Sequence, residues 1–303
     1  MRFQDVIGNE RVAQTLAAMA DSGRVAHAML LYENEGCGAL PLALAYIQYL
    51  NCANPSNGDS CGKCLSCKQM EKLIHPDVHF VFPVNKGPKS SDDKPTSESY
   101  IKYWRELAIA DPYFTEADLQ KAIGIEGKTG LIAVPEAKAI IGKLSLTAVA
   151  DGYKAVICYL PEKMNQEAAN RLLKLIEEPP VKTLFLFITH APEKVLQTIF
   201  SRCQSLRVLP LTKDEQRQVL AMRGEDREEY TMFMNLFSDL MNALTGRDLL
   251  SALECGEQIA SLDSREKQKA FCTFAGECIR KIFMLQQKLP QIAGVPEEEE
   301  AFY

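Results

Sequence analysis

Alternating strand-length and helical apolar segments over the first two thirds of the chain predict an α/β domain built on a parallel sheet. Beyond Leu211 the periodicity is helical only, which predicts a separate α-helical domain. A cysteine array, Cys52, Cys61, Cys64 and Cys67 at C-x8-C-x2-C-x2-C spacing, predicts a metal knuckle set into the first part. With 303 residues and 47% hydrophobic content, the chain can bury cores for about two domains, or three small ones.

In chain order, Glu10 to Ser22 carries Val12, Leu16, Met19 and Ala20 on one helical face. Ala28 to Tyr32 is a short apolar strand, followed by a turn at Gly36 and Gly38 and a second helix from Pro41 to Leu50. After the cysteine segment, Val78 to Phe82 reads as another strand. Residues 83–99 are polar and rich in Pro, Ser and Lys, and read as a mobile loop. Val134 to Leu146 resumes a helical face through Ala137, Ile140, Ile141 and Leu144. Ala155 to Leu160 and Thr183 to Ile188 are continuous apolar runs of strand length, suited to burial on both faces. Between them lies a helix from Gln166 to Ile176, with Asn165 as N-cap and Pro179-Pro180 ending it. Tyr230 to Leu244 and Lys267 to Leu285 are the helical runs of the last part.

Four closely spaced thiolates, with Gly58 and Gly62 permitting tight turns, can close a tetrahedral site around zinc. Two disulfides and an iron–sulfur cluster are the competing readings. Nothing else in the sequence reads as electron transfer. The N-terminus has no apolar signal region and no run approaches the roughly 18 apolar residues of a membrane span. A cytoplasmic location is therefore expected, where thiols stay reduced and clustered cysteines favour metal. The other six cysteines are scattered and read as buried hydrophobes. His75 lies eight residues after Cys67, but four thiols already saturate a tetrahedron, so it reads as a structural histidine. The formal net charge of −6 argues against binding DNA alone through bulk electrostatics, while leaving room for a local basic patch.

A strand, a glycine turn and a helix make the setting of a phosphate-binding loop, G-x4-G-K-[ST]. Here Glu33 stands at the first glycine, Ala39 at the lysine and Leu40 at the hydroxyl residue. The cation for phosphate and the ligand for Mg2+ are both absent from the motif, and Glu33 and Glu35 add negative charge. At the end of a later strand, Tyr159-Leu160-Pro161-Glu162 replaces the Asp-Glu pair that would hold the metal of a nucleotide. No ATP hydrolysis is expected. Read alone, the glycines also fit an ordinary turn.

The segments Phe3-Gln4-Asp5-Val6-Ile7-Gly8, Ala26-His27-Ala28, Ala168 to Lys174, Glu177-Glu178-Pro179-Pro180 and Ser201-Arg202-Cys203 occur in the order in which clamp-loader AAA+ ATPases carry their motifs. The chain resembles that family over about residues 1–210, and the helical remainder matches it in type only. The resemblance implies an AAA+ type parallel sheet with an inserted zinc knuckle, then a small lid and an α-helical collar domain. The implied bounds are 1–209 for the α/β domain, about 51–68 for the knuckle, 210–226 for a shortened lid and 227–303 for the collar.

With its phosphate loop degraded, the chain is expected to be a non-catalytic, stator-like subunit of the bacterial clamp loader in DNA polymerase III holoenzyme. Zinc, held by Cys52, Cys61, Cys64 and Cys67, is the cofactor expected from the thiol spacing. Its implied partners are the motor subunits and the delta subunit, with the sliding clamp and primed DNA reached through the complex. Arg202 of the Ser-Arg-Cys motif is implied to serve a neighbouring ATP site in trans, where a guanidinium stabilises a transferring phosphoryl group. An ordinary surface ion pair is the bland reading of the same residue. Thr189 falls at the sensor position of the family and reads as a structural hydroxyl.

Two departures stand out. Met222-Arg223-Gly224-Glu225-Asp226 runs almost directly into the helical domain where a longer lid motif is expected, and the chain closes on 297–303 earlier than a full collar would. The segment 83–130 is longer than the family needs. An active motor ATPase of the same machine and a redox protein are the competing functional readings.

Overall fold

Strands β1 (Ala28–Tyr32), β2 (Val78–Val81), β3 (Lys154–Tyr159), β4 (Thr183–Thr189) and β5 (Gln204–Arg207) form one parallel sheet in the order β2-β3-β4-β1-β5. Its three central strands are buried along nearly their whole length, which is why they read as unbroken apolar runs rather than alternating ones. Alternation decides only which layer each residue enters. Met29, Leu31, Ile157, Leu184, Leu186 and Ile188 belong to one core. Leu30, Val156, Cys158, Phe185 and Phe187 belong to the core on the opposite face.

The structure is a computed structural model that describes residues 1–146, 152–223, 227–262 and 264–287. It divides into two units, Met1–Arg223 and Gly224–Tyr303. In the first unit, helices α1 (Glu10–Asp21) and α2 (Ala39–Leu50) cover one face of the sheet. The short α3 (Leu65–Glu71) follows the cysteine loop. Helix α2 is buried on all sides, eleven of its twelve residues being inaccessible, which its composition of Ala, Leu, Ile and Tyr permits.

The segment expected as loop to Ser99 turns helical at Ser97. Helices α4 (Ser97–Ala110) and α5 (Glu116–Ile123) pack on the same face as α2. Tyr100, Trp104 and Ala108 of α4 stand at helical spacing and are buried. Trp104 lies over Phe80 and Phe82, with ring centroids 4.3 and 5.8 Å away. Buried Ser97 fixes the start of α4. Its hydroxyl accepts from the Phe82 N–H at 2.9 Å and donates to the Phe82 carbonyl at 3.1 Å, while its own N–H donates to Glu136 at 2.6 Å.

On the other face, α6 (Val134–Ser145), α7 (Gln166–Glu177) and α8 (Gln197–Phe200) supply Ala137, Ile140, Ala168, Leu172, Ile176 and Ile199. Asn165 caps α7, its side chain accepting from the Ala168 N–H at 2.8 Å. Helix α9 (Lys213–Arg223) ends the first unit.

The second unit holds α10 (Arg227–Thr245), α11 (Leu249–Ala260) and α12 (Arg265–Gln286), packed through Phe233, Phe237, Cys255, Phe271 and Cys278. Helix α11 lies between the two expected helical runs and is an addition to them. The expected lid junction at 224–226 and the acidic tail 297–303 lie outside the described residues.

Trp104 is the chain's one tryptophan and is 1% exposed. Trp104→Ala is expected to lower the stability of the first unit by about 3–5 kcal/mol, with Trp104→Phe costing less. Denaturant unfolding followed by far-ultraviolet circular dichroism measures this. A loss below about 1 kcal/mol would mean that α4 is not part of the core.

Candidate functional site

At the carboxyl end of β1 the chain turns through Gly36 and Gly38, with φ of 77° and 108°, into α2. Such backbone angles suit glycine, and a helix N-terminus reached this way is an anion site, because its first N–H groups have no partner within the helix. In this chain the anion is internal. The Glu33 carboxylate, 7% exposed, accepts from the Ala39 N–H at 2.7 Å. It takes up an N–H at the start of α2, the kind of group that binds an anion at a helix N-terminus.

An imidazole accompanies it. His190, just beyond β4, sets Nε2 3.4 Å from Glu33 Oε1, and its Nδ1 lies 3.9 Å from Glu35. Burial alone would lower the His190 pKa. The Glu33 carboxylate against it, together with Glu35 and Glu162, outweighs burial and leaves it raised.

The rest of the site is closed by hydrogen bonds of the chain itself. Thr189 donates to Glu162 at 2.7 Å and accepts from the Ala191 N–H at 3.1 Å, so its hydroxyl is committed within the protein. Glu162 also accepts from the His190 N–H at 3.2 Å.

Tyr113, between α4 and α5, lies over the glycine turn. Its hydroxyl accepts from the Ile7 N–H at 2.7 Å and donates to the Ile7 carbonyl at 3.2 Å. Burial pushes its phenol up to about 12, so it remains a donor at neutral pH. Asn9 ties the turn to the chain beyond β5, donating to the carbonyls of Cys37 and Leu209, both at 3.1 Å, and accepting from the Leu209 N–H at 2.8 Å.

The four sequence-predicted thiols converge. Cys52 follows the end of α2, Cys61 and Cys64 flank Gly62, and Cys67 lies in α3. The intervening turn is made by Asn57 and Gly58, with φ of 53° and 72°, and closed by reciprocal Ser56 and Asp59 backbone bonds of 2.9 and 3.0 Å. Asp59 fastens this loop to the start of the chain by accepting from the N–H groups of Phe3 and Gln4, each at 3.0 Å.

All four sulfurs lie within 4.8 Å of one another, and Cys61 and Cys67 are 4.0 Å apart. A tetrahedron with metal–sulfur bonds of about 2.3 Å separates its sulfurs by roughly 3.8 Å. A disulfide needs about 2.05 Å, and all ten cysteines are free thiols. Convergence on one point suits a single ion. A multi-iron cluster takes its thiolates on separate irons and spreads them further apart.

The electrostatics also fit a cation. The Lys63 and Cys64 N–H groups, each 3.4 Å from its sulfur, bring the Cys61 thiol down to about 6. Burial pushes Cys67 up, so its thiolate needs a positive partner. His75 is buried and accepts from the Asp77 N–H at 3.3 Å, outside the cluster.

Arg202 follows α8 and precedes β5. Its Nε donates to Glu177 at 2.5 Å, its terminal nitrogens contact Glu177 and the Thr198 carbonyl, and the latter contact is 2.8 Å. The strand register sets Arg202 apart from the glycine turn. Met29 pairs with Gln204 and Tyr32 with Arg207, so Arg202 stands at the amino edge of the sheet and Glu33 at its carboxyl edge. The first and last of the four paired residues are roughly 10 Å apart, and Arg202 and Glu33 lie beyond either end. Arg202 cannot reach the chain's own glycine turn.

Tyr113 and His190 carry no motif. Tyr113 meets Ile7 across 106 positions of sequence. Its one local sign is the Asp111-Pro112 turn between segments of helical periodicity. Among the described residues no helix is long and apolar enough to cross a membrane.

A parallel sheet in this order, with a glycine turn leading from β1 into a buried helix, defines an α/β protein with the architecture of the P-loop kind. The chain belongs to the family described as DNA polymerase III, delta subunit, which matches residues 8–212. It is 30% identical over 178 residues to DNA polymerase III subunit delta' of Pseudomonas aeruginosa, covering 59% of this chain and 42% of that one. Against subunit delta' of Escherichia coli the identity is 30% over 191 residues, covering 63% and 45%. DNA polymerase III subunit gamma of Buchnera aphidicola is 22% identical over 234 residues, covering 76% and 52%. The chain spans about half the length of the relatives it matches.

A histidine whose pKa rises on folding stabilises the fold below its unfolded value near 6.5, and loses that contribution as pH climbs through the folded value. The thermal-stability gap between the native chain and His190→Gln is therefore expected to be widest at and below pH 6 and to narrow above pH 6.5. Thermal melts from pH 5.5 to 9 measure it, and a gap independent of pH would mean that His190 is not the cation opposite Glu33.

Proposed function

We propose that the chain is a non-catalytic, stator-like subunit of the bacterial clamp loader in DNA polymerase III holoenzyme. In this reading it assembles with the motor subunits and the delta subunit and helps place the sliding clamp on primed DNA. The single observation that carries the reading is the Glu33 carboxylate bonded to the Ala39 N–H at 2.7 Å. A group already holding the phosphate position, with Ala39 and Leu40 in place of lysine and hydroxyl, leaves a nucleotide neither a site nor a metal ligand. The same substitutions argue against the motor reading, which the resemblance to gamma subunits would otherwise allow. The short remnant of a lid corresponds in this reading to α9, and the second unit to the collar.

The four thiols hold one zinc ion, whose chemistry is structural: it crosslinks the end of α2, the Asn57-Gly58 loop and α3, and leaves no open position for a substrate. Arg202 acts in trans on a neighbour's ATP. Its place at the sheet edge opposite the glycine turn supports that assignment.

Metal analysis is expected to find one zinc per chain, and calorimetry no ATP binding. Micromolar ATP affinity would sink the stator reading, and iron in place of zinc would sink the metal assignment. Cys61→Ser is expected to lower zinc occupancy and loosen residues 52–67 without unfolding the sheet, whose strands lie outside the knuckle.

Arg202→Ala is expected to leave folding, zinc content and assembly intact, while the clamp- and DNA-stimulated ATPase of the reconstituted complex falls. In GTPases an arginine in trans is worth about 10³ to 10⁵ at the site it serves. The total rate of a complex with several sites falls by less. Arg202→Lys is expected not to restore it, because an ammonium lacks the planar fork. An unchanged stimulated rate, with assembly confirmed, would make Arg202 an ordinary surface residue.

A further inference from the structure

Segment 97–123 contributes to none of the motifs above, yet it reaches the glycine turn. We propose that its turn, Asp111–Thr115, is a resident plug that takes the place of a nucleotide over the degenerate phosphate loop and fastens α9 to the sheet. The inference rests on the stator reading and adds to it the element that enforces it.

The plug fits closely. A β-carbon at Gly38 would lie 3.1 Å from Tyr113 Cε1, and one at Gly36 would lie 3.4 Å from the Tyr113 carbonyl oxygen. The ring edge and the carbonyl oxygen of Tyr113 thus lie close against the two glycines of the turn. Glu35 is drawn into the same contact, accepting from the Glu116 N–H at 2.5 Å, and Lys163 pairs with Glu116 at 3.0 Å.

Tyr113 then bridges two distant parts of the unit. Its hydroxyl holds Ile7 by the two bonds described above, and its ring shares a small apolar cluster with Ile7, Leu211 and Val219, the last from α9. A bound nucleotide comes and goes with concentration. A covalently attached side chain holds this junction at all times.

The turn is locally encoded. Asp111 Oδ1 accepts from the Tyr113 N–H at 2.9 Å, and Thr115 and Asp118 form a reciprocal cap at the start of α5. It is also anchored from below. Phe114 meets Trp104 edge-on at 6.4 Å and Tyr159 at 5.2 Å, and Tyr159 in turn meets His190 at 5.4 Å. The aromatic contacts run from α4 to the histidine opposite Glu33.

The test is amide hydrogen exchange on the full chain and on Tyr113→Phe and Tyr113→Ala, with zinc content and circular dichroism as checks of folding. Tyr113→Phe is expected to speed exchange at Ile7 by about five- to tenfold, the loss of one net hydrogen bond, and to leave α9 unchanged. Tyr113→Ala is expected to speed residues 211–222 as well, with α11 unaffected. Exchange in 211–222 at the native rate in the alanine variant overturns the fastening role.

The plugging role is read from ATP titration of the repaired loop, Glu33→Gly, Ala39→Lys and Leu40→Thr together, with and without Tyr113→Ala. Binding is expected only when Tyr113 is also replaced. Equal binding with Tyr113 in place, or none in either, overturns it. The native chain is titrated in parallel, and ATP binding there would instead sink the stator reading itself.

Discussion

A buried helix N-terminus must find acceptors for its first N–H groups, and the first unit is organised around how α2 meets that requirement. Helix α2 is buried on the sheet face it shares with α1, α4 and α5, so water cannot serve its start. Glu33 supplies an acceptor from within the loop. That choice brings a carboxylate into a nearly inaccessible place, where a lone charge is costly. His190 lies beside it, its pKa raised by that carboxylate, and the Thr189 and Glu162 bonds hold the histidine's backbone in position. The contacts of Glu33, His190 and Glu162 at this site are organised around one carboxylate folded back on one helix.

The knuckle meets the opposite end of the same helix. Cys52 follows the last turn of α2, and Gln48 of that helix donates to Ser60 of the loop at 2.8 Å. Through Asp59 the loop also holds the N–H groups of Phe3 and Gln4, and Phe3 packs on Tyr49 of α2 with centroids 5.8 Å apart. The cysteine segment therefore organises the amino-terminal stretch around α2, well away from the glycine turn. This arrangement suits a structural metal rather than one taking part in chemistry.

The sheet was legible in the sequence because buried parallel strands read as continuous apolar runs, and the cysteine set because its spacing is local. The degraded loop was legible for the same reason: Glu33, Ala39 and Leu40 are read against a fixed pattern. Residues 97–99 were not, because Ser and Glu after a Pro/Lys-rich stretch look like loop. What makes Ser97 helical is its bonds to Phe82 and Glu136, which no local pattern reports. In helix α11 the leucines do not mark the buried side: Leu249, Leu250 and Leu253 are exposed and Cys255 is buried. Tyr113 and His190 were invisible as site residues because each acts through partners brought near only by the fold.

The Glu33 arrangement also has a bearing on how such a chain can change over generations. Replacing Glu33 alone leaves the Ala39 N–H without its acceptor and His190 without its anion. Replacing Ala39 alone by lysine adds a long side chain at a position whose methyl group is already fully buried. Replacing Tyr113 alone opens a void beside Leu211 and Val219. Each of these three single replacements is expected to lower stability, so selection for folding alone resists remodelling of this turn. The arrangement behaves as a ratchet held by packing and charge.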